Sequence, residues 1–213
     1  MGFLYTKIIK IIKSKADPSK IYAIIQVNGH YETFEIDEKS TRLQLWLKTN
    51  FRNETGTIHP VDSFKQAIDY VKGNAISDNK TLNEKIHNRI AFDGQVFYYD
   101  LCSPDWKFVK ISKDSVEIVS QNKDTPAFIR TQTQCEQVLP NLDFKGNPLM
   151  EFCKLERLDP YFAIHLVAYF ISNLKCCIAL MSGSSGSLKT TITAHIKRVV
   201  DPRGENTNED QVS

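Results

Sequence analysis

The sequence has 213 residues, of which 41% are hydrophobic and 24% are charged, and its formal net charge is +2. This length holds one ordinary domain, or one domain with part of another, and the composition excludes a disordered chain. So small a net charge gives no argument for nucleic-acid binding by itself, which would require local clustering of lysine and arginine.

The cysteines suggest a reducing compartment. There are five of them, Cys102, Cys135, Cys153, Cys176 and Cys177. An odd number at irregular spacings is not a disulfide framework, and no Cys-x-x-Cys pair indicates a zinc knuckle. We therefore expect free thiols and a cytoplasmic protein.

Two apolar stretches could be mistaken for membrane elements. Residues 1–15, MGFLYTKIIKIIKSK, formally match a lipidation pattern, but their spacing favours a helix or strand lying on the fold with its lysines in water. Residues 161–182 almost reach the length of a membrane span, but Asn173 and Lys175 interrupt them. We expect a soluble protein with no membrane segment.

The N-terminal half predicts a hairpin followed by two helices. Residues 21–36 predict two strands around the turn Asn28-Gly29. Residues 40–51 place Leu43, Trp46 and Leu47 on one helical face, with Ser40 as a candidate cap.

Residues 63–75, SFKQAIDYVKGNA, predict the second of these helices. Ser63 and Gln66 have capping-box spacing, and Gly73 is the predicted end of the helix. Its apolar residues are Phe64, Ala67, Ile68 and Val71.

The pattern changes to strands between residues 86 and 119. Asp93-Gly94 predicts a second hairpin, and apolar residues alternate with polar ones in the strands that follow. Six aromatic residues occur here, Phe92, Phe97, Tyr98, Tyr99, Trp106 and Phe108. We expect most of them to face a core, with base stacking on single-stranded nucleic acid as the alternative.

The C-terminal part predicts the opening of an α/β unit. Asp159-Pro160 begins a helix that runs to about Leu174, and CCIALM (176–181) has the continuous apolar character of a buried strand. A glycine loop follows, and residues 189–200 predict a helix that ends before Asp201-Pro202. The predicted fold is an α+β N-terminal domain (1–145) followed by the first β–P-loop–α unit of an α/β P-loop NTPase domain (146–213, truncated).

The loop SGSSGSLKTT (182–191) is the strongest candidate site. Glycines allow successive backbone N–H groups to turn towards phosphate oxygens, and a helix N-terminus adds its positive dipole end. The candidate nucleotide-binding residues are Gly183, Ser184, Ser185, Gly186, Ser187, Leu188, Lys189, Thr190 and Thr191. Lys189 would reach the β- and γ-phosphates of ATP, and the Thr190 hydroxyl would bind Mg²⁺.

Leu188 departs from the usual pattern, which has glycine before the lysine. If Leu188 has a negative φ, its side chain can point away and the site is intact. If φ is positive, the loop is strained and its affinity for phosphate drops, because leucine disfavours that conformation. The plain structural alternative is a Gly/Ser turn between a strand and a helix.

The sequence resembles the phosphate-loop segment of phage, plasmid and archaeal ATPases related to primase–helicase (superfamily III-like) proteins. The similarity lies in IALMSGSSGSLKTTITAHIKRVVDP (178–202) and in the β-rich IHNRIAFDGQVFYYDL (86–101), WKFVKIS and VEIVSQ. The helices LQLWLKTNF and SFKQAIDYVKGNA occupy corresponding places.

The resemblance implies an ATPase of mobile-element DNA replication that binds ATP and Mg²⁺, with DNA as a further partner and a homo-oligomeric ring for the parent protein. It also implies tolerance of a non-glycine residue at position 188. In that family the acidic Walker B strand follows the loop, and no hydrophobic strand ending in Asp follows Pro202 here. We therefore expect nucleotide binding by this chain and ATP turnover only by a longer parent protein.

Two other functions stay open at this stage. A small-molecule kinase would carry a similar loop, but no acceptor pocket or catalytic base is marked. A non-catalytic protein that docks DNA or a partner would be consistent with Leu188.

Overall fold

The computed structural model describes residues 2–57, 61–77, 81–122, 124–159, 161–162, 182, 184, 186 and 188–204. Within this part the chain is a mixed α+β protein with two four-stranded sheets and five helices. It divides into two compact units, Met1–Asn88 with Ser120–Ile129, and Arg89–Val119 with Arg130–Ser213.

The first unit contains three helices and one sheet. Its elements are α1 (Gly2–Lys7), β1 (Ile8–Ser14), β2 (Ile21–Val27), β3 (His30–Glu35), α2 (Thr41–Thr55), α3 (Val61–Ser77) and β4 (Leu82–Glu84). The strand order is β3-β2-β1-β4. The pairs β1–β2 and β2–β3 are antiparallel, while β4 lies parallel to β1.

Strand β2 lies at the centre of this unit and is covered on both faces. Since side chains alternate along a strand, Ile21, Ala23 and Ile25 face one way and pack with α2 and α3. Tyr22 and Ile24 face the other way and pack with Ile12 and Ala127. The predicted apolar faces of the two helices are therefore the ones that are buried.

The predicted hairpin at Asn28-Gly29 is confirmed. Both residues have positive φ, +46° and +88°, and Val27 pairs with His30 across the turn. Asparagine and glycine are the residues that tolerate this backbone best, so the turn follows from local chemistry.

Two details of the predicted helices were wrong. Helix α3 begins at Val61, so Ser63 lies in its first turn and is not its cap, and it continues through Gly73 to Ser77. A glycine inside a helix costs only about 0.5–1 kcal/mol, and burial of Ala75 in the core beyond it offsets that cost. Ser40 does stand at the N-cap of α2, but its side chain makes no capping hydrogen bond.

Among its described residues, the second unit has a meandering sheet and two helices with assigned bounds. Its elements are β5 (Ile90–Phe92), β6 (Phe97–Asp100), β7 (Lys107–Ile111), β8 (Val116–Ser120), α4 (Pro148–Leu155) and α5 (Lys189–Val200). The strand order is β5-β6-β7-β8, with antiparallel pairing of β5–β6 and β6–β7. The predicted hairpin at Asp93-Gly94 is confirmed by the β5–β6 pair.

The aromatic residues of this unit differ in burial. Trp106 and Phe108 are buried as expected, although Trp106 lies just before β7 and not on a strand. Phe92, Phe97, Tyr98 and Tyr99 are only half-buried, and the rings of Phe92 and Phe97 stack on each other at 4.2 Å.

The start of the predicted helix at Asp159 is partly described. The Asp159 carboxylate accepts a hydrogen bond from the backbone N–H of Tyr161 at 2.8 Å, as a helix cap does. Residues 161 and 162 are helical. The rest of that helix, to about Leu174, and the predicted strand 176–181 lie outside the described residues.

Candidate phosphate-binding site

The loop before α5 turns through left-handed backbone conformations. Gly186 has φ +80°, and no atom within 4 Å would contact a Cβ placed there. Leu188 follows with φ +57° and ψ +20°. Of the candidate residues, Ser184, Gly186 and the run 188–191 are described, whereas Gly183, Ser185 and Ser187 lie outside the described residues.

Leu188 therefore has the backbone conformation that the sequence pattern reserves for glycine. The residue is 66% exposed, so burial of its side chain offsets little of the strain in the backbone. A non-glycine residue in the left-handed region costs on the order of 1–2 kcal/mol. Of the two alternatives that the sequence left open, the structure has the strained one.

Lys189 is the first residue of α5, and its side chain extends back to the loop that precedes the helix. Its Nζ donates a hydrogen bond to the backbone carbonyl of Ser184 at 2.8 Å. The first turn of α5 carries no acidic side chain. The ammonium group is therefore held near the loop backbone, at the end of the helix where the dipole favours anions.

Thr190 and Thr191 complete the first turn and are both exposed. The first hydrogen bond inside the helix runs from the N–H of Ile192 to the carbonyl of Leu188, at 2.9 Å. The N–H groups of Thr190 and Thr191 precede that bond and have no partner within the helix. Backbone N–H groups, an ammonium and a threonine hydroxyl are donors and ligands that suit a phosphate with Mg²⁺.

Two arginines of the same unit were missed by the sequence reasoning. Arg130 donates two hydrogen bonds to the fully buried carboxylate of Asp100, and Arg89 is bonded to Asp201, just beyond α5. Their partners lie 30 and 112 residues away in sequence, so no local pattern could have paired them. The only sequence signal near these contacts was Asp201-Pro202, the predicted end of the last helix.

Two aspartates of this unit, Asp93 and Asp105, have structural roles. Asp93 accepts hydrogen bonds from the N–H groups of Gln95 and Val96, and these bonds lower the pKa of its carboxyl. Asp105 forms an ion pair with Lys107 at 2.7 Å. Asp93 and Asp105 thus each have a local partner, and aspartate is common near turns for such conformational reasons.

Two other titratable groups of the unit are perturbed. Burial, and then the negative charge of Asp100, raises the pKa of the Cys102 thiol to about 12. Burial also raises the pKa of Tyr99, whose hydroxyl bonds to α5. Both groups stay protonated at neutral pH, so the Tyr99 hydroxyl is available there as a hydrogen-bond donor.

No protein-family model, curated protein or solved structure matches this chain. The resemblance to primase–helicase ATPases thus remains a prediction based on residues 86–121 and 178–202. Among the described residues, no helix is both long and apolar enough to cross a membrane.

Proposed function

We propose that residues 183–191 bind the phosphates of ATP together with Mg²⁺. The proposal rests mainly on one observation. A residue in the left-handed conformation, Leu188, directly precedes a helix that begins at Lys189, whose ammonium returns to the loop carbonyl of Ser184.

This backbone suits a phosphate for a physical reason. A left-handed residue followed by right-handed helical residues turns successive N–H groups towards one point, where an anion can accept several hydrogen bonds. The helix dipole and the Lys189 charge act in the same direction. Lys189 would exchange its bond to Ser184 for the β- and γ-phosphates, while Thr190 would supply a hydroxyl ligand to Mg²⁺, which neutralises phosphate charge when bound.

We further propose that the chain belongs to an ATPase of mobile-element DNA replication, related to primase–helicase proteins. The support is the sequence resemblance of the β-rich segment 86–121 and of residues 178–202. DNA binding and assembly of a homo-oligomeric ring are parts of that same proposal.

Calorimetry with ATP and Mg²⁺ tests the phosphate site. We expect the unaltered chain to bind ATP and Lys189→Ala to bind it about 10- to 100-fold more weakly, because a charge-assisted contact is lost. Lys197→Ala is the matched control, since it removes a lysine from the last turn of the same helix. Equal affinities of the unaltered chain and Lys189→Ala would contradict the proposal.

A further inference from the structure

The C-terminal end of α5 is held by side chains from β6 and the loop that follows Arg130. The Tyr99 hydroxyl donates to the carbonyl of Val200 at 2.9 Å. Gln137 Nε2 donates to the carbonyls of Val199 at 2.9 Å and Arg198 at 3.2 Å. The backbone N–H of Asp201 donates to the carbonyl of Lys197 at 2.7 Å.

These bonds account for all four carbonyls of the last turn. The last four carbonyls of an α-helix have no partner within the helix, and water or a glycine cap usually satisfies them. In α5, two side chains from elsewhere in the unit satisfy three of them. The end of this helix is thus fixed to β6 and to residue 137.

Arg89 fixes the two residues that follow the helix. Its Nε donates to Asp201 Oδ1 at 3.0 Å, and its Nη2 donates to the carbonyls of Pro202 at 3.2 Å and Cys135 at 3.0 Å. Its Nη1 donates to the carbonyl of Asp100 at 3.1 Å. Because the arginine is buried, its N–H groups are costly to leave without hydrogen-bond partners.

The described contacts of α5 are concentrated at its C-terminal end. None of its residues is buried, as judged in the part of the chain that the structure describes. The side chain of His195, near the middle of the helix, is part-exposed, and its Nδ1 lies 2.9 Å from Glu156 Oε1. The C-terminal end is thus the part of the helix whose described neighbours include a buried side chain, that of Arg89.

We propose that Tyr99, Gln137 and Arg89 are positioning residues for the phosphate loop. They bind the C-terminal end of α5, whose N-terminal end carries Lys189 and Thr190. A twelve-residue helix is about 18 Å long, so a tilt of roughly 5° at one end displaces the other by about 1.5 Å. A displacement of that size exceeds the tolerance of a hydrogen bond to phosphate. This inference rests on the proposed phosphate site.

The test compares the phosphate affinity of the unaltered chain with that of Tyr99→Phe and Tyr99→Phe/Gln137→Met. ATP and inorganic tripolyphosphate are titrated by calorimetry, below the unfolding temperature of every variant. Tyr99→Phe keeps the ring and removes only the hydroxyl, so the test does not depend on whether the double variant folds. Tyr98→Phe is the control, because its side chain points to the opposite face of β6.

We expect both ligands to bind the double variant on the order of three- to thirtyfold more weakly, with a smaller loss for Tyr99→Phe and less than twofold for Tyr98→Phe. The loss should be equal for ATP and tripolyphosphate, since the helix acts on phosphate alone. A lower unfolding temperature with unchanged affinity would assign these residues a merely structural role and overturn the inference, as would a loss confined to ATP.

The two proposals fail in different ways. If the unaltered chain binds ATP and the variants bind it equally well, only the positioning role is overturned. If the unaltered chain binds neither ATP nor tripolyphosphate, the phosphate site is overturned and the positioning role with it.

Discussion

The guanidinium of Arg130 donates hydrogen bonds to both carboxylate oxygens of Asp100, from Nε at 2.8 Å and from Nη2 at 2.6 Å. The carboxylate is completely buried, and the remaining donor, Nη1, bonds to the carbonyl of Ser103 at 2.6 Å. The same guanidinium lies 3.8 Å from the ring centroid of Trp106. A planar fork of this kind satisfies two acceptors and stacks on an aromatic ring at once, which lysine could not do.

We expect Arg130→Ala to lower the free energy of unfolding by about 3–5 kcal/mol, because it leaves the Asp100 carboxylate buried without its charge partner. Urea denaturation would measure the loss. Lys107→Ala is the control, since the Lys107–Asp105 pair is exposed and exposed pairs contribute about 0–1 kcal/mol. Similar losses of unfolding free energy in the two variants would show that burial does not make the Arg130–Asp100 pair more important for stability than the exposed pair.

Leu188→Gly should stabilise the protein by about 1 kcal/mol, because glycine adopts positive φ without the clash that leucine suffers. Chemical denaturation gives the difference. The matched control is Leu139→Gly, an exposed leucine outside helices and strands that is not among the described residues with positive φ. There glycine should destabilise by about 0.5–1 kcal/mol through the entropy of the unfolded chain.

A decrease in stability with Leu188→Gly would contradict the strain at this position. If the phosphate site is as proposed, the same variant should bind ATP at least as tightly as the unaltered chain. Leu188→Ala separates the effect of the backbone strain from the effect of losing the leucine side chain. Alanine at this position retains the strained φ, so this variant should gain little stability.

Thr190→Val should lower the gain in ATP affinity that Mg²⁺ provides, on the order of tenfold, since valine keeps the shape of threonine without the hydroxyl ligand. The measurement is ATP affinity with Mg²⁺ and with EDTA. Thr190→Ser should retain the gain, and so should Thr191→Val, which alters the neighbouring hydroxyl. An undiminished Mg²⁺ effect in Thr190→Val would exclude this hydroxyl as a metal ligand.

Cys102 should be slow to alkylate. Its pKa rises from 9.0 to about 12 through burial and the Asp100 charge, which lowers the thiolate fraction at pH 8 roughly a thousandfold. Iodoacetamide labelling followed by peptide mass spectrometry measures the rate, and the same cysteine in urea is its control. Fast labelling in the folded protein would contradict the raised pKa.

The same shift makes stability depend on alkaline pH. The pKa of the Cys102 thiol is raised from 9.0 to about 12 in the folded protein. The contribution of this thiol to the free energy of unfolding is therefore fully present below about pH 9 and is lost as the pH rises towards 12.

Local chemistry in the sequence was enough to predict several elements. The Asn28-Gly29 and Asp93-Gly94 hairpins, the amphipathic faces of α2 and α3, and the bounds of α5 depend on residues within a few positions of one another. The candidate phosphate loop was found in the same way, from glycines and a lysine at short spacings, and its nucleotide remains a prediction.

The tertiary structure decided what depends on distant partners. Helix α3 passes Gly73 because Ala75 reaches the core, and the sequence around Gly73 could not reveal that burial. Arg89 reaches Asp201 only because strand β5 and the end of α5 meet in space, 112 residues apart in sequence. The turns and the helical faces could be predicted because they obey near-neighbour sterics and periodicity. The contacts at the far end of α5 depend on packing between distant segments, which no local pattern encodes. The φ of Leu188 was left open by the local pattern, which allowed either sign.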